Sequence, residues 1–133
     1  MYTFDASSIY ALMWRGRLTP LSDGLTVELA RYELGNAFWK EAVLKGRLSV
    51  EEALSLIKLA SEVLRRMEVL SLNGDEGEVF KLAYSEGLTF YDSSYLYAAI
   101  KTGTPLVTED ERLRRTAVRH VGVLKVEDLL KLV

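Results

Sequence analysis

Five short apolar runs punctuate this chain, and between them the hydrophobic spacing turns helical. Tyr2 to Asp5, Leu25 to Val27, Met67 to Leu72, Pro105 to Thr108 and Val121 to Leu124 read as strands. Most of the intervals carry apolar residues three and four apart, the period of a helix with one buried face. Strands alternating with amphipathic helices imply a parallel sheet covered on both faces. Because crossovers are right-handed, every strand then ends on the same edge of the sheet. Open α/β sheets bind ligands along that edge.

The helical intervals can be assigned in turn. Ser7 or Ser8 is placed to cap a helix carrying Ile9, Leu12 and Met13. From Glu28 to Lys45 the residues Leu29, Tyr32, Asn36, Trp39 and Val43 share one face, and Gly46 ends the helix. Ser49-Val50-Glu51-Glu52 is a capping box, and the helix it opens spaces Val50, Ala53, Leu54, Ile57, Ala60 and Leu64 at helical intervals. Asp75 is read as the cap of a helix running to Glu86. Asp92 is read as opening another, with Tyr95, Leu96, Ala99 and Ile100 in register. Glu109 to His120 and Val126 to Val133 complete the set. No repeat or Pro/Gly-rich linker interrupts this order, so residues 1–133 are expected to form one domain.

Composition removes several classes of function. The absence of cysteine excludes a disulfide framework, a zinc knuckle and a thiolate nucleophile. No apolar stretch is long enough to span a bilayer. Met1 to Asp5 lacks a basic region followed by an apolar run, so no signal peptide is expected and the cytoplasm is the default location. Seventeen basic and nineteen acidic residues give a net charge of −2, so any contact with nucleic acid must be local.

Four acids stand in unusual places. Asp5 ends the first strand and Asp110 follows the fourth, so the topology puts both on one edge. Asp92 joins them if its helix starts at that edge. Glu33 joins them if its helix leans against the central strands. Asp92 and Asp110 also suit helix caps, and Asp5 suits an ordinary loop. Glu33 is harder to place so simply, because no Lys or Arg lies three or four residues away on its inner face. It is therefore expected to reach a cation supplied from elsewhere. Carboxylates about 5 Å apart repel by roughly 3 kcal/mol at an effective dielectric of 20. Either some of them are protonated or a divalent cation sits among them. All-oxygen ligands without His or Cys select Mg²⁺ or Mn²⁺ over zinc.

Four segments carry a resemblance. Phe4-Asp5-Ala6-Ser7, Tyr32-Glu33-Leu34-Gly35-Asn36-Ala37, Tyr91 to Ala99 and Leu106-Val107-Thr108-Glu109-Asp110 resemble, in order, the four signatures of PIN-domain ribonucleases. The nearest likeness is to the VapC-type toxins of prokaryotic VapBC toxin–antitoxin systems. This resemblance implies a three-layer α/β/α sandwich with a mostly parallel five-stranded sheet. It also implies an Mg²⁺- or Mn²⁺-dependent endoribonuclease, silenced by a cognate VapB-type antitoxin and assembled as a homodimer or higher oligomer. Carried over by position, the catalytic acids are Asp5, Glu33, Asp92 and Asp110. Asp5, Asp92 and Asp110 would hold the metal, and Glu33 would serve a metal-activated water that hydrolyses an RNA phosphodiester. Ser7, Asn36 and Thr108 match supporting polar positions. Glu109 and Glu111 are further acids beside Asp110, which is preferred because it fits the pattern.

Contacts with RNA have fewer signals. Arg112, Arg114, Arg115, Arg119 and His120 form the only dense basic stretch, with Lys125 beyond it. Arg112 and Arg115 are its candidates for phosphate contact, and Arg15 with Arg17 makes a weaker second group. A solvated helix face accounts equally for that charge run. Tyr91, Tyr95, Tyr97, Trp14 and Trp39 invite base stacking, but Tyr95 and Trp39 fall at core spacing and are expected to pack. Tyr10, Met13, Trp14 and the helix from Val50 to Leu64 are a candidate surface for an antitoxin segment or a second copy. A receiver domain would need adjacent acids after the first strand. A haloacid-dehalogenase-type enzyme would need an Asp where Ser7 stands. A dinucleotide-binding domain would need Gly-x-Gly-x-x-Gly, which is absent. The remaining alternative is a catalytically silent PIN-fold module that binds RNA or protein.

Overall fold

The computed structural model describes residues 1–133. The five expected strands form, β2 with the expected bounds and the others shortened: β1 (Thr3–Phe4), β2 (Leu25–Val27), β3 (Glu68–Leu70), β4 (Leu106–Val107) and β5 (Val123–Leu124). All pair in parallel in the order β3-β2-β1-β4-β5. The chain therefore winds outward from β1 to β3, crosses back, and resumes beside β1 as β4. That reversal makes the β1/β4 boundary the topological switch point, where strand ends splay and leave a crevice. The register pairs Thr3 with Leu106 and Phe4 with Val107, so Asp5 and Thr108 leave the sheet side by side.

Seven α-helices flank the sheet: α1 (Ala6–Trp14), α2 (Leu29–Trp39), α3 (Val50–Arg66), α4 (Glu76–Glu86), α5 (Phe90–Thr102), α6 (Glu111–Ala117) and α7 (Val126–Leu132). Helix α5 packs along β1, β2 and β4, while α1 touches α2 and α7, and α2 touches α3. Right-handed crossovers put α1 to α3 on one face and α4 and α5 on the other, which makes the sandwich three-layered. Phe4, Ile9, Leu12, Leu34, Phe38, Leu96, Leu106 and Leu113 fill its core, each almost wholly buried. At Gly24, just before β2, an added Cβ would lie 2.7 Å from the Phe4 ring, so only glycine lets the chain pass over that side chain.

Several expectations are corrected. Helix α1 is capped by Asp5, not by Ser7 or Ser8: its Oδ1 accepts from the Ser8 N–H at 2.9 Å. Helix α5 is capped by Thr89, which places Asp92 at its third residue, not at its start. Asp75 precedes α4 without a side-chain cap bond and pairs with Lys101 at 2.5 Å instead. The expected capping box at Ser49 and Glu52 is present. Helix α6 is shorter than the Glu109 to His120 segment read as helical.

The largest correction concerns α2. Its buried positions are Ala30, Leu34 and Phe38, whereas Tyr32, Asn36, Trp39 and Val43 on the expected face are exposed. Trp39 is 48% exposed and does not serve the core. After Trp39 the helix widens into a π turn, Lys40–Leu44, in which the Lys45 N–H donates to the Lys40 carbonyl. The turn buries Glu41, which pairs with Lys45 at 3.2 Å and approaches Arg47 at 3.9 Å. In α3, Val50, Leu54 and Ile57 of the expected face are also exposed, and Ala53, Ala60, Val63 and Leu64 carry the packing.

These assignments separate neighbouring aromatic residues. Phe38→Ala should lower unfolding free energy by about 3–5 kcal/mol in denaturant titration, the usual cost of a large buried truncation. Trp39→Ala should cost about 1 kcal/mol or less. Equal losses at the two positions would contradict the packing described.

Candidate active site

Four elements deliver one acid each to the crevice at the switch point. Asp5 leaves β1, Glu33 projects from the second turn of α2, Asp92 from the first turn of α5, and Asp110 caps α6 by accepting from the Leu113 N–H at 3.1 Å. All four line a single cavity of about 460 Å³, with Tyr10, Leu34 and Tyr95 among its walls. Three of the placements follow from local structure. A strand end, a capping position and a first helical turn are where Asp is favoured for backbone reasons alone. Only the spatial convergence makes them a site.

Asp5 is the anchor. It is 4% exposed, and both its oxygens are engaged. Oδ1 accepts from the Ser7 hydroxyl at 2.7 Å and the Ser8 N–H, and Oδ2 accepts from the Thr108 hydroxyl at 2.5 Å. The Thr108 oxygen in turn accepts from the Asp110 N–H at 3.0 Å, and the Ser7 oxygen accepts from the Glu109 N–H at 2.9 Å. Two hydroxyls thus lash the β1 exit to the β4 exit and fix the Asp5 carboxylate between them. Burial still dominates, and it pushes the Asp5 carboxyl up to about 6 against the downward pull of these donors.

Glu33 receives the Tyr95 hydroxyl on Oε1 at 2.6 Å, bridging α2 to α5. Its pKa is raised by burial, opposed by the Tyr95 bond, with the charges of Asp92 and Asp110 adding to the rise. Asp92 is likewise raised, first by burial and then by Asp110, with Arg112 acting weakly against them. The mutual repulsion shows that these carboxylates share one electrostatic environment. Burial and the facing Glu33 carboxylate raise the Tyr95 phenol, which keeps it a proton donor. The side chain that Glu33 meets is thus a phenol and not a Lys or Arg. Tyr95 packs in the core as its spacing suggested, and its role at Glu33 had no signal in the sequence.

The neighbouring acids are already engaged, although Glu109 also lines the cavity. Glu109 Oε1 accepts from the Val126 N–H at 2.7 Å, at the start of α7, and Glu111 pairs with Arg114 at 2.6 Å. The basic stretch is partly spent as well. Arg114 is held by Glu111, and Arg119 and His120 both bind Glu86. Arg112 and Arg115 carry no carboxylate partner, nor does Arg15 at the end of α1. The Arg112 guanidinium donates to the Gly87 carbonyl at 3.2 Å. Asn36 does not reach the acidic cavity. It is exposed and lines an adjoining groove that shares Glu33 and Ala37 with that cavity.

None of the four acids forms an ion pair with Lys, Arg or His. Hydroxyls and backbone N–H groups are the direct donors to Asp5, Glu33 and Asp110, and the only cationic influence is that of Arg112 on Asp92. That donor chemistry, all carboxylate oxygen and free of His, suits a hard divalent cation. No three of these side chains, nor any other three His, Cys, Asp or Glu, stand close enough together to hold a metal ion between them. An ion that retains several waters and takes one or two carboxylates directly is compatible with such an open set.

A parallel sheet whose switch point gathers four unpaired carboxylates defines a class of acidic-site α/β proteins. The chain belongs to the PIN-domain family, whose model matches residues 2–119. It is 39% identical to Exonuclease VapC9 of Pyrobaculum aerophilum, across 97% of this chain and 92% of that one. It is 35% identical to Ribonuclease VapC3 of the same organism over 88 residues, 66% of each chain. The fold matches the crystal structure of PAE2754 from Pyrobaculum aerophilum with a TM-score of 0.79 at 34% identity, covering 98% of this chain and 93% of that one. FitAcB from Neisseria gonorrhoeae shares the fold at a TM-score of 0.62 and 17% identity, covering 93% and 96% of the two chains.

Asp5 generates a stability prediction. A carboxyl whose folded pKa is raised binds its proton more tightly folded than unfolded. The metal-free protein should therefore lose stability as pH rises from about 4 to about 6, and little more above that. Asp5→Asn removes the buried charge and keeps a capping oxygen. In chelator at pH 7 it should melt above the wild type, by about 2–3 kcal/mol in unfolding free energy. A midpoint equal to or below the wild type's would show that the Asp5 charge is not a burden on the fold.

Proposed function

We propose that the chain is a VapC-type toxin, a nuclease that hydrolyses RNA phosphodiesters with the help of Mg²⁺ or Mn²⁺. The observation that carries this reading is the convergence of four acids, from four separate elements, on one cavity without any cationic partner. Isolated caps and loop aspartates would scatter over the surface or meet arginines, whereas Asp5 is buried, Glu33 and Asp92 are half-buried, and Asp110, though exposed, opens on the same cavity. The family assignment and two relatives with nuclease names support the same conclusion.

In this reading Asp5, Asp92 and Asp110 hold the cation, directly or through water. When bound, such an ion lowers the pKa of a water molecule and offsets the charge developing on a phosphate. Asp5 supplies a carboxylate that Ser7 and Thr108 keep from rotating. Glu33 accepts a proton from the attacking water, and burial, which raises its pKa, makes it a stronger base than an exposed carboxylate. Tyr95 fixes the Glu33 carboxylate by donating to one oxygen, which leaves the other free. Arg112, Arg115 and Arg15 offer charge to the RNA backbone around the acidic cavity. In-line attack by water leaves 5′-phosphate and 3′-hydroxyl ends, whereas attack by the ribose 2′-hydroxyl would leave a cyclic phosphate.

The name VapC also brings a partner into the reading. A VapB-type antitoxin would lie on the apolar surface where Trp14, Val50, Leu54 and Ile57 are exposed, and a second copy of the chain competes for the same surface. Met13, also read as part of that surface, is buried.

One relative is named an exonuclease and another a ribonuclease, so the mode of cutting needs a direct test. The purified protein should linearise a circular single-stranded RNA in Mg²⁺, lose that activity in chelator and regain it on adding metal back. Asp5→Asn and Asp110→Asn should each reduce cleavage at least 100-fold, by loss of metal-linked charge stabilisation. Digestion of linear but not circular RNA would replace endonuclease by exonuclease. Wild-type rates in Asp5→Asn would remove the acidic site from the mechanism, and no cleavage in any metal would favour the silent binding module.

Tyr95→Phe tests the positioning of Glu33. Loss of one partly buried hydrogen bond should cost about 1 kcal/mol in stability and reduce turnover more than RNA affinity. An unchanged turnover number would show that the phenol serves packing only.

A further inference from the structure

Beside the acidic cavity runs a second, larger one that the chemistry above does not use. It has a volume of about 710 Å³, lies between the exposed flank of α2 and the start of α5, and shares Glu33 with the acidic cavity. Two tyrosines face it and neither packs in the core: Tyr32 is 72% exposed and Tyr91 is 61% exposed. Neither ring stacks on another aromatic side chain. Asn36 contributes a side-chain amide with no intramolecular hydrogen bond, and Lys40 an ammonium with no carboxylate partner. Glu28, also on the wall, is already bound by Arg31 at 2.8 Å.

We propose that this groove is a nucleobase subsite, in which a base of single-stranded RNA next to the scissile phosphate stacks against Tyr32 or Tyr91 and meets the Asn36 amide. The proposal rests on the nuclease reading and adds the substrate feature that reading lacks. Geometry favours RNA as the occupant. Because Glu33 and Ala37 line both cavities, the groove directly adjoins the acidic site and lies within reach of a strand held there. Exposed aromatic rings bind bases of any sequence through their faces, and an amide can pair with a base edge. Lys40, on the groove wall and without a carboxylate partner, supplies a positive charge for a phosphate of the same strand. A duplex would keep its bases stacked inside and offer the groove none, so the subsite selects single strands.

The test separates binding from cleavage. Short single-stranded RNAs carrying 2-aminopurine at successive positions would be titrated onto Asp5→Asn protein in Mg²⁺, alone and combined with Tyr32→Ala, Tyr91→Ala, Tyr32→Phe or Tyr91→Phe. One or two adjacent positions should show strong quenching with the tyrosines intact. At least one alanine change should abolish that quenching and weaken binding about tenfold or more, while its phenylalanine counterpart stays within about twofold. In otherwise wild-type protein, an RNA lacking the base at that position should be cut more slowly than its parent, and the alanine variant should no longer distinguish the two. If both alanine variants quench and bind as their parent does, the groove is not a base subsite, whatever the acids do. If the alanine variants keep RNA affinity but lose a polypeptide partner, the groove belongs to that partner and the proposal falls. If instead Asp5→Asn still cleaves, the acidic-site reading fails while the binding result stands on its own.

Discussion

Uncompensated negative charge at the boundary between β1 and β4 is the constraint around which this molecule is organised. Four carboxylates share a crevice, and no lysine, arginine or histidine neutralises any of them. Folding alone would not favour such a cluster, since burial raises the pKa of Asp5, Glu33 and Asp92, like charge adds to the rise at Glu33 and Asp92, and both oppose ionisation. What the fold supplies in return is a scaffold of neutral donors. The Ser7 and Thr108 hydroxyls, the Ser8 N–H and the Tyr95 phenol orient the acids without cancelling their charge. An arginine in any of these places would satisfy the same oxygens and remove the affinity for a cation.

The sheet topology explains why the cluster falls where it does. Strands β1 and β4 are far apart in sequence and adjacent in space, so the residues that follow them meet only after the long crossover through α2 to α5 is complete. The hydroxyl links between the two exits, Thr108 to Asp5 at 2.5 Å and the Glu109 N–H to Ser7 at 2.9 Å, are therefore contacts across about a hundred residues of chain. Site geometry and native topology are one event: the acids converge when the switch point closes, not before.

The element order and the parallel sheet were legible in the sequence because buried strands and amphipathic helices have different periods. The acids were legible because strand ends and helix starts are written locally. Chemical detail at those positions was less so. Ser7 and Ser8 outrank Asp5 as apparent caps when read alone, yet Asp5 does the capping because β1 delivers it to the start of α1. On α2 an aromatic stripe, Tyr32 and Trp39, reads as core, but Leu34 and Phe38 are the buried side chains, on the face that packs against α1 and α3, with Phe38 against Tyr10. Tyr95 is both core and site, a duality that spacing cannot express. The basic stretch after Asp110 overstated the free charge, since Glu86 and Glu111 are partners that only the fold brings near.

The double duty of Asp5, as helix cap and as buried acid, has an evolutionary corollary. Asparagine is as good a cap as aspartate and nearly the same shape. A single nucleotide change interconverts their codons. The shortest path to an inert descendant therefore passes through an intact, well-capped fold, with its outer surfaces unaltered, and not through a damaged one. Lineages of this architecture can shed reactivity while preserving every surface on which a partner relies, so decoys and scaffolds lie one step from an active ancestor.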